Sequence, residues 1–405
     1  MSVEDAKDMQ RPNLSVSRRG LLRSAAALGA GGVTLAACGG GGGTKSAADA
    51  QAATTSPATG RPGIATGNEV ITDRKQRHTV RINQAFQSLL YLTLYIANDV
   101  GFFDEEGVEL KLSTGGGGSQ AWAAVLAGSA DYSIQDPIFP SISLERGQNK
   151  GVVVGSIANG MACLAVAKDP AIVRATDAKQ FMTKVVPGKR VVTQPEPDSA
   201  WAQMKYLGDL YGVKAGEDFE ILQVPLGTEP APVLQGRADI AIGWPPSVDL
   251  SLGKGLHEVF DFSRFWGPFA LSGLTTTRDY VKNSPVAHQG VMNALEKASQ
   301  YAYAYPDQAI KIAQREFKDE DPELVASSAR RMLERLIIPQ HLLVEQIAWD
   351  NDQFANFYAK SVKKTHPLDR GVDNRAPVQS YRQLGYGALT QWKQPRQIVS
   401  TVASQ

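Results

Sequence analysis

The sequence predicts an α/β protein built as two lobes of similar construction, and three observations carry that expectation. First, residues 125–137 (VLAGSADYSIQDP) align with residues 233–245 (VLQGRADIAIGWP), with seven identities at an offset of 108. Each copy reads as a helix end, a glycine exit, a tight turn holding an aspartate and a short strand that stops at a proline. Second, each copy follows a strand, loop and helix unit. Leu110 to Ser113, a glycine-rich loop and a helix with Trp122, Val125 and Leu126 precede the first. Lys189 to Thr193, a polar loop and a helix with Trp201, Met204, Tyr206, Leu207 and Leu210 precede the second. Third, the body from residue 78 to 405 is long enough for two cores at roughly 150 residues per domain.

Residues 1–38 read as an export signal. Ser17, Arg18, Arg19, Gly20, Leu21, Leu22 and Arg23 lead into an apolar stretch from Ser24 to Ala37. That stretch is short and rich in Ala and Gly, against the roughly 20 apolar residues a membrane span needs. The arginine pair resembles the twin-arginine signal, whose cargo is exported folded; a general secretory signal is the alternative. Leu35, Ala36, Ala37 and Cys38 resemble a lipobox, in which Cys38 is lipidated and becomes the new N-terminus. Residues 39–77 are mostly Gly, Ala, Ser, Thr and Pro, too poor in large apolar groups to offset the entropy of ordering, and read as a flexible tether.

The whole chain has 42 Lys+Arg and 41 Asp+Glu. Cleavage before Cys38 removes five basic and three acidic residues and leaves 37 against 38. A balanced mature chain has no electrostatic reason to bind nucleic acid. Cys163, in the apolar run Met161 to Val166, then has no disulfide partner and is expected to be a buried, inert thiol.

The body opens with a strand around Val80 and Ile82 and a helix from Leu89 to Ile96 that ends near Gly101. Phe102 and Phe103 form an apolar plug, and the next strand begins near Val108. After Arg278 the chain reads as helical. Val291, Ala294, Leu295 and Ala298 make one apolar stripe, Leu324 to Leu336 a second, and Leu342, Ile347, Phe354, Phe357 and Tyr358 a third. The tyrosines at 301, 303 and 305 read as packing residues.

No catalytic constellation stands out. The five histidines have no metal-ligand spacing, and there is no GxSxG, phosphate loop or CxxC. A non-enzymatic protein without metal or cofactor is the expectation. The succession from the first strand through GFFDEEGVEL, the glycine-rich loop, LAGSADYSI, VPGKRVVT and LQGRADIAIGWPP resembles the periplasmic solute-binding proteins for nitrate, sulfonates, taurine and thiamine-pyrimidine precursors. That resemblance covers about Thr79 to Arg278. It implies the two-lobed periplasmic-binding-protein fold of type II, each lobe a mixed sheet flanked by helices with the ligand cleft between lobes. In its terms, residues 78–175 begin lobe 1, 176–272 form lobe 2 and 273–405 return to lobe 1. It also implies a monomer, in the periplasm or on the outer face of the membrane, that hands a small solute to an ABC permease and its ATPase. A sensor that presents its ligand to a receptor is the competing class. An enzyme like the eukaryotic pyrimidine-precursor synthase is disfavoured, because its cysteine cluster has no match here.

In such folds ligands meet loops at the carboxyl ends of strands. The candidates from lobe 1 are Gln84, Phe86, Gln87 and Ser88; Gly116, Gly117, Gly118, Ser119 and Gln120; and Gln135 and Asp136. Those from lobe 2 are Gln194, Glu196, Asp198, Ser199, Trp201, Thr228, Glu229 and Trp244. Ser119 and Ser199 read equally well as ordinary helix N-caps. None of the candidates is Lys or Arg, which points to stacking and hydrogen bonding with a neutral or nitrogen-bearing heterocycle. A small oxyanion held by helix N-termini is the alternative.

Overall fold

The computed structural model describes residues 76–384; the export signal with Cys38, the tether as far as residue 75 and residues 385–405 lie outside them. Two five-stranded sheets form the frame. The first has the order β2-β1-β3-β10-β4, from strands His78–Gln84 (β1), Val108–Thr114 (β2), Tyr132–Gln135 (β3), Gly151–Ala158 (β4) and Ser272–Thr277 (β10). The second has the order β7-β6-β8-β5-β9, from Leu164–Ala167 (β5), Arg190–Thr193 (β6), Glu220–Gln223 (β7), Ile240–Gly243 (β8) and His257–Asp261 (β9). In each sheet three neighbouring strands are parallel and the other two pairings are antiparallel. The central β3 and β8 are buried at every position, as strands covered on both faces must be.

The repeat detected in the sequence is a repeated staple. Arg81 on β1 donates from its backbone N–H, Nε and Nη2 to the carboxylate of Asp131, at 2.8, 3.1 and 2.7 Å. Arg190 on β6 does the same to Asp239, at 2.8, 3.1 and 3.1 Å. The turns before these aspartates pass through Gly128 and Gly236 at φ of 74° and 73°, a left-handed conformation that glycine adopts without a Cβ clash. The fork holds the entry of each central strand, so the matching exits face the cleft in the same way.

The chain crosses from the first sheet to the second between Ala158 and Leu164 and returns between Asp261 and Ser272. The first crossing therefore falls about a dozen residues before the expected boundary at 175/176. The run Met161 to Val166, read as surroundings for a thiol, already holds the first three residues of the apolar strand β5. Cys163 sits at that crossing, fully buried and without a disulfide, with the Gln203 amide donating to its sulfur at 2.8 Å.

The C-terminal helices do more than cover the first lobe. Helix Pro285–Ala304 packs on helices Leu92–Val100 and Phe102–Glu105, and buries Lys297 against Glu105 and Glu106. Helix Pro322–Glu334 sends Arg331 to Asp249 in the second lobe, at 3.0 and 2.9 Å, and to the carbonyl of Ala162 at 3.0 Å. Helix Gln346–Tyr358 packs on helix Ser199–Tyr211, where Tyr206 meets Phe354 and Tyr358 at centroid separations of 5.5 and 6.0 Å. The expected third apolar stripe is not the face this helix buries. Leu342 lies outside it and Phe357 is 41% exposed, whereas Ala348, Trp349, Asp352, Gln353, Ala355 and Asn356 are buried. The buried face is half polar because it covers the polar exit of β3. Among the described residues no helix is long and apolar enough to cross a membrane.

Candidate functional site

Both sheets point the exits of their parallel strands at one narrow cavity of about 20 Å³, room for about one water molecule. From the first lobe come Ala85 and Phe86 after β1, Leu90 and Tyr91 on the following turn, Gly118 at the start of the helix after β2, and Gln135 and Asp136 after β3. The second lobe supplies Asp198 and Ser199 after β6, Leu226 after β7 and Trp244 after β8. Leu271 and Ser272, entering β10, close one side. The adjoining residues Gln87, Gly227 and Pro246 line a wider cavity of about 320 Å³.

The lobes touch directly here. Ser88 Oγ donates to the carbonyl of Pro245 at 2.5 Å, and the same carbonyl accepts from the Leu89 N–H at 3.2 Å. Ser199 Oγ donates to Asp136 Oδ2, whose other oxygen accepts from the Ile138 N–H at 2.9 Å. Asp352, buried on the returning helix, stands against Asp136 and accepts from Gln353 and Asn356 at 3.1 and 2.9 Å. Three distant parts of the chain thus meet at one carboxyl group.

Acids dominate the electrostatics. Burial pushes the Asp136 carboxyl up to about 6, against the hydrogen bonds from Ser199 and Ile138. Burial, then the charges of Asp136 and Glu229, hold Asp198 well above the usual carboxylate range. Asp352 is raised well above it by burial and by Asp136. Glu229, buried behind the wall with Gln194 and the Gly227 N–H bonded to Oε1, is pushed up to about 7 by burial. No Lys, Arg or His is among the groups that set these charges, and none lines the narrow cavity.

Of the residues singled out from sequence, Phe86, Gly118, Gln135, Asp136, Asp198, Ser199 and Trp244 line this cavity, and Gln87 and Thr228 line the wider one. Gln84 lies behind the wall, bonded to Thr114 and Tyr95. Ser88 is engaged with Pro245 and caps the turn Leu89–Tyr91, and Gln194 with Glu229 forms a buried second layer. Gly117 is buried, and its N–H bonds Ala85. Gly116, Ser119, Gln120 and Glu196 are exposed outside the cavity, with Ser119 bonded to Gln120. Trp201 packs against Ala202 and Ala359. Neither Ser119 nor Ser199 is an N-cap; Gly117 and Asp198 occupy those positions.

Sequence reasoning missed Tyr91 and Asp352. Tyr91 sits in a run read as an apolar helix, and the start of that run is a separate 3₁₀ turn. Asp352 lies 216 positions from Asp136, and no local pattern links the two.

Two sheets, two crossings and a cleft at the strand exits define the two-lobed fold of the periplasmic binding proteins. The family model described as "NMT1/THI5 like" matches residues 91–309, more than half of the chain, and the chain belongs to that family. The Bacillus subtilis (strain 168) protein named "Putative binding protein YtlA" is 22% identical over 282 residues, 68% of this chain and 83% of that one. The periplasmic nitrate-binding protein NrtA from Synechocystis PCC 6803 superposes with a TM-score of 0.61 at 16% identity, covering 79% of this chain and 92% of its own. The desulfurization enzyme DszB also shares the fold, with a TM-score of 0.54 at 15% identity over 76% of this chain and 99% of its own.

Proposed function

We propose that this chain is the solute receptor of an ABC importer, tethered outside the cell membrane through a lipidated Cys38, and that it captures a planar, nitrogen-bearing solute between its lobes. The observation that carries the ligand reading is the cavity wall, where Phe86, Tyr91 and Trp244 offer ring surface and Asp136, Asp198 and Gln135 offer polar atoms without a basic side chain. A permease and an ATPase are the partners that role requires. The chain acts as a binder and not as an enzyme. Its one described cysteine is buried with its thiol pushed up by burial, which removes it as a nucleophile.

The test is mass spectrometry of the solute released by denaturing protein purified from its own host. A planar nitrogen-bearing compound is expected. A sulfonate, taurine or nitrate would replace this reading with that of an oxyanion receptor held by helix N-termini. The anchoring has its own check: Cys38→Ala is expected to move the protein from the membrane and detergent fraction to a soluble or precursor form, and unchanged partitioning would end the lipoprotein reading.

A further inference from the structure

The narrow cavity is walled and backed by acids that no basic side chain faces. Asp136 and Asp198 line it, Asp352 stands against Asp136, and Glu229 lies behind Asp198, with no cationic side chain among them. Two buried acids elsewhere have bases, Asp249 forked by Arg331 and Glu106 holding Lys297, while buried Glu296 is met by the Leu342 N–H and the Gln300 amide. A second observation concerns Gln135. It is 1% exposed, it lines the cavity, and neither its amide oxygen nor its amide nitrogen has a hydrogen-bond partner in the fold. Buried amides are ordinarily bonded. An amide left free at both ends, beside carboxyls that no basic side chain meets, marks a place for a ligand that donates several N–H groups.

We propose that the solute is a small planar organic cation, of the amidinium, guanidinium or ring-protonated amine class, whose N–H groups bond Asp198, Asp136 and the Gln135 carbonyl while its face lies on Trp244, Phe86 or Tyr91. This deepens the solute-receptor reading and rests on it. Charge-assisted N–H donors to carboxylates are the stronger kind, and a ring face attracts a cation further. A neutral solute would satisfy single lone pairs and bring no opposite charge to the carboxyls. The opposite arrangement, in which protonated Asp136 and Asp198 donate to an oxyanion, uses the same residues but reverses the dependence on pH. A cation binds best when the acids are ionised, an oxyanion when they are protonated. Entry needs the lobes to part, since the cavity between the Ser88–Pro245 and Ser199–Asp136 contacts is too narrow for any of these solutes.

Calorimetry with benzamidinium, benzamide and benzoate, three probes of matched size, separates the possibilities. Benzamidinium is expected to bind more tightly near pH 8 than near pH 5, and about tenfold or more above both other probes. Asp198→Asn is expected to remove that preference. Gln135→Leu should weaken benzamidinium several-fold without lowering the melting temperature of the unliganded protein, because the native amide makes no bond for leucine to break. A purely structural Gln135 would show the reverse. Benzoate favoured at low pH, benzamide equal to benzamidinium, or no benzamidinium binding would each overturn the proposal. The solute released from host-purified protein keeps the two readings apart, since an anion or an uncharged molecule found there would refute the cation and leave a solute receptor standing.

Discussion

Glu229 shows how one buried side chain sets the response of the fold to acid. Its carboxyl moves from an ordinary 4.5 to about 7 because burial disfavours the charge. The folded chain therefore keeps a proton that the unfolded chain releases. The group costs nothing below about pH 4.5, and its cost grows as pH rises and is complete above about 7. Asp136, at about 6, works in the same direction. His288, lowered to about 4 by burial, works in the opposite one between about 4 and 6.5. Glu229→Gln keeps the acceptor for Gln194 and Gly227 and removes the titration. It is expected to be more stable than the parent by on the order of 1–3 kcal/mol near pH 8 and close to it near pH 4, read by urea unfolding. A difference that does not change with pH would contradict a raised Glu229. Trp244, 3% exposed and part of the main core, calls for a gentler change than alanine. Trp244→Leu keeps apolar volume while losing the ring face. Binding of the host-derived solute should weaken by about 1–3 kcal/mol, by analogy with bases stacked on aromatics, and unchanged affinity by calorimetry would remove Trp244 from the site.

At the scale of elements, helix Gln346–Tyr358 is the informative case. Its buried face carries Asp352, Gln353 and Asn356, which bond one another, the Ser141 hydroxyl and the His366 N–H. Because Asp352 is raised well above the carboxylate range, its neutral form is the one the fold favours, and Asp352→Asn is expected to be tolerated. Asp352→Leu removes one acceptor each from the Gln353 and Asn356 amides, which keep the Ser141 hydroxyl and the residue-352 carbonyl, and is expected to cost about 1–3 kcal/mol for each N–H left unsatisfied. Thermal melts of the two variants compare them; equal losses would mean that volume and not polarity matters there. The same helix shows where sequence reading reaches its limit. The repeated Gly-x-Ala-Asp turns were legible because a left-handed glycine and a strand-entry aspartate impose their own local pattern, and the cavity residues Gln135 and Trp244 follow directly from them. The polar face of 346–358 was not legible. An apolar stripe predicts burial only when the covering surface is apolar, and here it is the exit of β3. The first crossing was misplaced for a related reason: a four-residue strand buried on both faces has no alternation to distinguish it from any other apolar run.

For the whole molecule, the lobes share one buried apolar cluster and meet through a few specific polar and aromatic joints. Ser88 with Pro245, Ser199 with Asp136, Arg331 with Asp249 and the Tyr206 cluster are among these joints. A solute held between the lobes adds to that contact only in the closed form. Small-angle scattering should therefore show the radius of gyration fall when the host-derived solute is added. The melting temperature should rise with its concentration, in line with a stabilisation of about 2.7 kcal/mol at 100 times Kd. A radius of gyration indifferent to saturating solute would rule out hinged capture.

The position of β10 has a consequence for how the chain is made. It is inserted between β3 and β4 in the first sheet, yet β4 ends at Ala158 and β10 begins at Ser272. While the ribosome adds the intervening residues, the nascent first sheet has a slot with unpaired backbone on both sides, and long-range pairing of this kind is slow and prone to aggregation. A precursor threaded through a translocon in extended form would meet that hazard on the far side of the membrane. A chain that completes translation before any transfer can fill the slot first, because Ser272 to Thr277 must exist before the sheet can close around them.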